Sequence, residues 1–537
     1  MALFLVTIIL TLLWSIDKGF DLSDEGLHYA LSNPNTTNNN GLFNYDLFFK
    51  LFYAISNFEF GIIGLRLLKF ISLVLLFIFG LPLFRKNNFS VLDKLFLAVA
   101  IFCSYTYLTQ SLSYNTISFI LVLSYIYTYS ILNNSSVFRQ NLVMLLMAIL
   151  SSLCFFSKPP LSLVLLGMTF ILTTISFSKL PWRRILFQFF LIVSGYVGVQ
   201  LIFQIVFPDY TFFKVLKDAM ELSTYYGSYN KSTLIKRLVV SFKWVFVLSL
   251  TGWIVAYVLK TKQLELKKII IAFISIVVLL SYFFISHSSS NEFDVFQYGL
   301  MILSALTIGF FLCFTKIKNF NWQKSILLLL LFVAPFICTL GSNVYFLRSG
   351  QQYLFFWFTL LVYLKNTSET IPKQYVLLLY FICSGFITVK VYNNVIVNPD
   401  NQPKLSDTFV NYNYGHEKNI KIDKNQADYL THLKIKLNKY SPNRKEIIGL
   451  YAMPGDIILT GFVNYYCPLI WDDFQWKFIK DRINHNDKYK NKTLPLLIAK
   501  DLKYSDIIKM EDYRVVDSVK DFKRGYIYIC KPIIKKI

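Results

Sequence analysis

The chain has 537 residues, of which 55% are hydrophobic and only 16% are charged, too little charge to cover the surface of a soluble protein of this length. Its net charge of +23 does not indicate nucleic-acid binding, because many of the basic residues lie in short segments between apolar runs, where they orient membrane helices. We therefore predict a polytopic α-helical membrane protein and expect no nucleic-acid partner.

The apolar runs are roughly 15–25 residues long, enough to cross a hydrocarbon core of about 30 Å. The first run has no basic segment before it and no small-residue cleavage site after it, so we interpret it as a retained anchor. About thirteen spans are predicted, near 2–16, 61–84, 92–108, 115–132, 141–157, 160–178, 185–207, 238–259, 269–286, 296–315, 325–341, 352–364 and 374–391.

Loop charge predicts the orientation of these spans. Every second connection is short and basic, and the positive-inside rule places such connections in the cytoplasm. The short loops near 109–114 and 287–294 carry no lysine or arginine. We expect a bacterial inner-membrane protein with a cytoplasmic N-terminus and, after an odd number of crossings, an extracytoplasmic C-terminus. The predicted cytoplasmic residues are Arg85, Lys86, Lys94, Arg139, Lys179, Arg183, Arg184, Lys260, Lys262, Lys267, Lys268, Lys316, Lys318, Lys324, Lys365 and Lys373.

Two of the predicted outer loops are long, residues 17–60 and 208–237. The first contains an asparagine-rich stretch at 33–40 and then the apolar segment Tyr45 to Phe58. That segment predicts an amphipathic helix lying in the membrane interface.

Hydrophobicity falls near residue 398, which divides the chain into a transmembrane module, 1–395, and a soluble extracytoplasmic domain, 400–537. Short runs such as 446–451, 496–499 and 525–529 predict strands, and 425–438 predicts a helix, so we expect an α/β or α+β domain. Cys467 and Cys530 lie in this domain and can pair if it is outside the cytoplasm. The sequence leaves that pairing open.

Two adjacent carboxylates, Asp24 and Glu25, follow the first span within a few residues and precede His28 and Tyr29. An acidic pair at a membrane boundary is costly unless it binds something or does chemistry. The pair therefore indicates a functional site; the alternative is that it only caps or anchors the first helix.

The first 160 residues resemble the GT-C glycosyltransferases, and within them the protein O-mannosyltransferase and aminoarabinose transferase group. The resemblance consists of the Asp24-Glu25 pair after the first span, the interfacial segment after it, and Gly61 leading to Arg66 in the next helix. Where many relatives carry a His-Pro-Pro-like element, this chain has Phe43-Asn44-Tyr45-Asp46-Leu47. That departure leaves the donor sugar and the acceptor open.

The resemblance implies transfer of a sugar from a polyprenyl-phosphate lipid to a glycan, lipid or protein acceptor at the outer face of the membrane, with inversion. Asp24 would be the general base and Glu25 would orient the acceptor or tune Asp24. The chemistry agrees, because an acceptor hydroxyl is a poor nucleophile at neutral pH and needs a carboxylate to take its proton.

A phosphate leaving group requires cations at the same boundary. The candidates are Lys158, Arg348 and Arg66; each can instead be a snorkelling side chain, and Arg66 can be the structural partner of an acid. No cofactor is expected; a divalent ion held by Glu292 and Asp294 together with Asp24 or His28 is the alternative to a metal-free site. The candidate substrate-binding residues are His28, Tyr29, Tyr114 and Asn115.

Two other functions remain open: a transporter or flippase for envelope lipids or oligosaccharides, and a glycan polymerase or scaffold. A transporter predicts charges in the middle of its spans and broken helices in repeated halves. Lys243 is the main such charge that the sequence indicates.

Overall fold

The computed structural model describes most of the chain. The described residues are 1–39, 43–107, 110–131, 136–176, 181–225, 231–260, 295–315, 322–341, 346–368, 371–397, 405, 409–415, 418–471, 473–485, 495–500, 513–522 and 525–533.

Helices dominate the first 397 residues, because long apolar runs can satisfy their backbone groups within a helix. In chain order they are α1 (Ala2–Ser15), α2 (Asp24–Ser32), α3 (Asp46–Ser56), α4 (Ile62–Lys86), α5 (Val91–Ala100), α6 (Tyr114–Ser130), α7 (Val137–Ser157), α8 (Pro159–Ser176), α9 (Trp182–Val206), α10 (Phe212–Tyr225), α11 (Lys231–Lys260), α12 (Val295–Phe314), α13 (Trp322–Cys338), α14 (Phe346–Ser349), α15 (Phe355–Thr367) and α16 (Lys373–Tyr392). Short 3₁₀ turns follow α5 at Ile101–Tyr105 and α14 at Gly350–Tyr353.

Each predicted span overlaps one of these helices, except that the span at 269–286 lies outside the described residues. The span at 92–108 corresponds to the ten-residue helix α5 and the 3₁₀ turn after it. Within the described part, five helices are long and apolar enough to cross a membrane, so the protein is an integral membrane protein. Four shorter apolar helices accompany them, including α1 and α13. The total of thirteen crossings and the orientation of the termini remain predictions.

The long first loop contains two helices. The predicted interfacial helix at Tyr45 to Phe58 is confirmed as a helix, α3. The acid pair opens a further helix, α2, nine residues long and almost wholly buried. The second long loop contains α10.

The C-terminal region contains the predicted strands and helix. A hairpin of β1 (Phe409–Gly415) and β2 (Lys418–Asp423) precedes a mixed five-stranded sheet in the order β4-β3-β5-β7-β6, where β3 pairs in parallel with β4 and β5, and β7 pairs antiparallel with β5 and β6. The remaining elements are β3 (Glu446–Leu450), β4 (Val463–Asn464), β5 (Leu496–Lys500), β6 (Tyr513–Asp521), β7 (Gly525–Pro532), α17 (Lys424–Tyr440), α18 (Pro454–Leu459) and α19 (Asp473–His485).

The hydrophobic core of the C-terminal region continues into the first loop. Phe20, Leu27 and Tyr29 belong to the same buried cluster as Ile420 and Leu430. The C-terminal region is therefore positioned to hold the loop that carries the acid pair.

Cys467 and Cys530 are both free thiols and both buried. Each lies in the apolar cluster beneath the sheet, so the disulfide that the sequence left open is not formed.

Candidate functional site

The acid loop, residues 17–25, leaves the end of α1 and is bound by the C-terminal region. Backbone hydrogen bonds join Gly19 N to Lys421 O and Lys421 N to Asp17 O, both at 2.8 Å. The side chain of Gln426 donates to Phe20 O at 2.9 Å. The edge strand β2 and the start of α17 thus fix the path of the loop before it reaches the acid pair.

Two glycines allow the acid loop to approach α18. A Cβ on Gly26 would lie 2.5 Å from the backbone of Gly455, and one on Gly455 would lie 2.5 Å from Leu22 O. Gly455 N donates to Leu22 O at 2.9 Å. The segment at 454–456 looks like a simple turn in the sequence, but it opens a helix that supports the acid pair.

Asp21 sets the start of α2. Its carboxylate accepts hydrogen bonds from Ser23 N at 2.8 Å, from Ser23 Oγ at 2.7 Å and from Asp24 N at 3.1 Å, which satisfies amide groups that a helix N-terminus leaves unpaired. Burial and the negative charges of Asp24 and Glu25 raise the pKa of Asp21 well above its usual range. Three acids therefore share this helix start.

Glu25 is sealed inside the protein, with only 1% of its surface exposed. Arg66 binds it with a two-point fork, Nε to Oε1 at 2.8 Å and Nη2 to Oε2 at 2.7 Å. Ser111 Oγ donates to the same carboxylate, and Asp21 N donates at 3.4 Å. Its oxygens are saturated, so these contacts favour a structural role for Glu25 over direct contact with an acceptor.

Arg66 also caps the end of α1. Nη1 donates to the carbonyls of Ser15, Ile16 and Lys18 at 3.3, 3.1 and 2.8 Å, and Nη2 donates to Gly19 O at 2.7 Å. Carbonyl groups at a helix C-terminus lack partners within the helix, and Arg66 supplies them. Because its donors are used, the structure favours the role of structural partner to an acid, which the sequence left open, over binding of a donor phosphate.

Asp24 is placed differently from its neighbour. Its side chain is half-buried rather than sealed. Burial raises the pKa of Tyr45 and of Asp21, and the negative charge of the nearby Asp24 raises both further. Asp24 also shares a helix face with His28 four residues on. Of the pair, Asp24 is the carboxylate that remains accessible.

His28 is buried beside Tyr45, with Nδ1 and the tyrosine Oη joined by a hydrogen bond of 2.7 Å. Burial, together with the nearby charge of Lys69, lowers the pKa of His28 to about 3. The imidazole is therefore neutral at physiological pH and able to donate or accept one hydrogen bond. Its ring lies 6.0 Å from the ring of Tyr114, so two predicted substrate-binding residues are brought together.

Tyr29 faces the other way. Its ring packs edge-to-face on Tyr414 in β1 at 5.6 Å, and only 3% of the residue is exposed. These contacts favour a packing role for Tyr29 in place of the predicted contact with substrate, because His28 and Tyr29 are successive residues on different sides of α2.

Lys158 lies between α7 and α8 and is buried. Its ammonium donates to Cys338 O at 2.6 Å and lies 5.3 Å from the ring of Tyr114 and 5.9 Å from that of Tyr353. Burial lowers the pKa of Lys158 to about 8. Among the described residues no carboxylate forms an ion pair with it, so a buried cation faces one carbonyl and two aromatic rings.

Asn115 lies beside these residues, because Tyr353 Oη donates to its Oδ1 at 3.0 Å. Tyr114 and Asn115 are the first two residues of α6, and Ser113 Oγ caps that helix by accepting from Thr116 N. The cap fixes the direction in which both side chains leave the helix. We call His28, Tyr45, Tyr114, Lys158 and Tyr353 the Lys158 cluster.

Arg348 lies on the short helix α14, in the same segment as Tyr353. Its guanidinium lies 5.6 Å from the ring of Tyr107. Its Nε is buried and has no hydrogen-bond partner within the described residues. An unpaired buried donor is costly, and an anion would satisfy it.

Sequence analysis did not single out Lys69, which lies one turn after Arg66 in α4. It is 1% exposed, its ammonium donates to Ser104 O at 3.1 Å, and it lies 4.2 Å from the ring of Tyr105. The spacing from Arg66 was the available signal, because residues three apart in a helix share a face.

A polar cavity of about 460 Å³ lies beside α3. Asp46 lines it and binds Lys50 at 2.7 Å and Asn38 at 3.0 Å. The buried Oγ of Thr36 has no partner among the described residues. The rest of the lining comes from the asparagine-rich stretch, the end of α9 and α10.

The loop 287–294, with Glu292 and Asp294, lies outside the described residues. Within the described part, no three His, Cys, Asp or Glu side chains are grouped to hold a metal ion. The expectation of a metal-free reaction therefore remains a prediction.

No family model matches the sequence, and no curated protein matches it. Among solved structures, the chain is similar to the crystal structure of ArnT from Cupriavidus metallidurans bound to undecaprenyl phosphate, at 12% identity and a TM-score of 0.43, over 98% of this chain and 97% of that one.

Proposed function

We propose that the protein is a membrane glycosyltransferase that moves a sugar from a polyprenyl-phosphate donor to an acceptor at the extracytoplasmic face. The observation that carries the proposal is the division of the acid pair. Glu25 is saturated by Arg66 and Ser111, whereas Asp24 remains accessible beside the Lys158 cluster. An accessible carboxylate at one side of a cluster that also holds an underfilled buried cation suits a base and an anion-binding group acting on one substrate.

In the proposed reaction, the acceptor oxygen attacks the anomeric carbon while its proton passes to Asp24. The bond between that carbon and the phosphate oxygen breaks, and its electron pair leaves with the lipid phosphate. Lys158 and Arg348 stabilise the negative charge that develops there. Attack opposite to the leaving phosphate inverts the anomeric centre.

Neutral His28 and Asn115 supply hydrogen bonds for sugar hydroxyl groups, which need donors and acceptors rather than charge. The residues directly after Tyr45 in the chain line the polar cavity beside α3. This cavity provides room for a hydroxyl-rich acceptor. Its volume falls within the range of about 300–1,000 Å³ typical of small-molecule sites. The identity of the sugar and of the acceptor stays open in this proposal.

The experiment compares Asp24→Asn with Asp17→Asn, an acid in the same loop that pairs with Lys421 at 2.7 Å outside the cluster. Transfer from a short-chain polyprenyl-phosphate hexose to envelope acceptors is measured with each purified variant. We expect Asp24→Asn to lower the rate by about 10²–10⁴, the usual contribution of a general base, with an unchanged melting temperature. Full activity in Asp24→Asn would remove Asp24 from the mechanism.

One observation bears on the transporter alternative. Lys69 and Asp93 are buried charges within apolar helices, as carriers often have. Lys69, however, lies two turns from the start of α4, and Asp93 lies in the first turn of α5, where it binds Lys365 at 2.7 Å. Lys243 lies on the exposed surface of α11. Lipid movement that survives in Asp24→Asn without any sugar transfer in the wild type would favour the carrier.

A further inference from the structure

Another polar cavity, of about 410 Å³, lies at the opposite end of the helices that form the Lys158 cluster. α4 begins beside Glu25 and ends at Lys86, and α6 begins at Tyr114 and ends at Ser130. α4 has 25 residues and is therefore about 37 Å long, since each residue adds about 1.5 Å. The two sites are separated by roughly the thickness of a membrane. We call this site the Lys86 cavity.

The lining of the Lys86 cavity is basic. Lys86 and Lys324 contribute positive charge, and no carboxylate lines the cavity in the described part of the chain. Amide and hydroxyl groups make up most of the remaining lining: Asn87, Asn88, Gln323, Asn366, Ser130, Thr367, Tyr129 and Tyr363. Such a set of donors suits an anion with several oxygen atoms.

A buried hydroxyl provides an independent indication of a ligand. Tyr363 lines the cavity and is only 4% exposed. Its Oη has no hydrogen-bond partner among the described residues, a state that costs free energy unless something binds there. Gln323 and Lys324 also lie in the first turn of the 17-residue helix α13, whose N-terminal amide groups favour negative charge.

We propose that the Lys86 cavity binds a phosphate group, and that this phosphate belongs to an anionic phospholipid in the leaflet opposite to Asp24. Exposed apolar residues continue along the helices near the cavity: Phe79 shares a face with the lining residue Lys86, and Leu329 shares one with Trp322, which precedes the lining residue Gln323. Tryptophan marks the membrane interface in membrane proteins. Acyl chains therefore have an apolar surface beside the site, whereas a free metabolite would not need one.

The basic residues at this end of the helices also favour an anionic phospholipid as the source of the phosphate. The positive-inside rule assigns this end to the cytoplasm, where anionic lipids give the leaflet a negative surface potential that attracts nearby lysines. A lipid held here would contact α4, α6, α13 and α15, the helices whose other ends form the proposed active site.

The test uses the full-length protein in a neutral detergent and follows its melting temperature, because a ligand that binds the folded state raises it. The probes are phosphatidylglycerol, phosphatidylcholine with the same chains, and inorganic phosphate. The variants are the double lysine variant, which combines Lys86→Gln with Lys324→Gln, and the single variant Tyr363→Phe. Lys373→Gln is the matched control, since Lys373 is an exposed lysine that begins α16 on the same predicted face but does not line the cavity.

We expect phosphatidylglycerol to stabilise the wild type and Lys373→Gln, and the double lysine variant to bind it on the order of tenfold more weakly. Stabilisation by inorganic phosphate alone, lost in the same variant, would support a phosphate site but replace the lipid by a soluble anion. Equal effects of both lipids with none from phosphate would overturn the proposal, as would unchanged binding in the double variant. Persistence of the lipid effect in Lys158→Met would separate this site from the proposed active site.

Discussion

The region around Arg66 and the region around Lys158 are both built on a buried cation near one end of the bundle, yet their partners differ. Arg66 uses its donors on Glu25 and on the last carbonyls of α1. Lys158 donates to one carbonyl and otherwise faces aromatic rings. Burying a charge is costly unless it is paired. A saturated cation therefore indicates structure, whereas an underfilled one indicates a place for an anionic ligand.

This difference predicts that the largest loss of stability follows substitution of Arg66, the saturated cation. Arg66→Met leaves the Glu25 carboxylate buried without its partner, and we expect the free energy of unfolding to fall by about 3–5 kcal/mol. The melting temperature of the purified protein should drop sharply, and activity should be lost with it. Arg85→Met, at the exposed far end of the same helix, should leave both unchanged.

A second substitution separates the two tasks of Arg66. Glu25→Gln combined with Arg66→Met removes the unpaired charge but leaves the α1 carbonyls of Ser15 and Lys18 without a donor. We expect the double variant to recover part of the lost stability, but not all of it. A single Arg66→Met variant as stable as the wild type would contradict the structural assignment.

Part of this comparison could be predicted from the sequence. Apolar run lengths located the helices, and the position of Asp24 and Glu25 after the first span indicated the candidate site, because both depend on local composition. Partner choice could not be predicted, because Glu25 meets Arg66 and Ser111 through contacts 41 and 86 residues apart. The supporting contact between Gly26 and Gly455 spans almost the whole chain.

The same dependence on contacts between distant residues explains why the structure favours different roles for some candidate residues than the sequence did. The sequence gives no reason to assign His28 and Tyr29 different roles. In the structure, only the face of α2 that carries His28 contacts Tyr45 and Tyr114 in the Lys158 cluster. Lys69 was overlooked because a single charge in an apolar run resembles an interfacial lysine, and its burial depends on packing against the 3₁₀ turn at Ile101–Tyr105.

The underfilled region should respond in activity rather than in stability. Lys158→Met keeps a similar side-chain volume and removes a buried charge, so we expect an unchanged or higher melting temperature. Transfer from the polyprenyl-phosphate donor should fall by about 10²–10³, the usual loss for one group that stabilises a developing anion. A large loss of stability with no specific loss of transfer would assign Lys158 to structure, as for Arg66.

The smallest effect is a pH dependence with opposite signs for activity and stability. Burial lowers the pKa of Lys158 to about 8, so the ammonium that binds phosphate is lost as the pH rises through 8, and transfer should fall to roughly a tenth at pH 9. Between pH 8 and the usual lysine value near 10.5 the unfolded chain holds a proton that the folded chain lacks, and the contribution of Lys158 to stability rises with pH. Rates and melting temperatures measured from pH 7 to 10 test both signs. Lys158→Arg keeps its charge throughout and should abolish the alkaline fall in rate; an identical fall in this variant would assign the titration to another group.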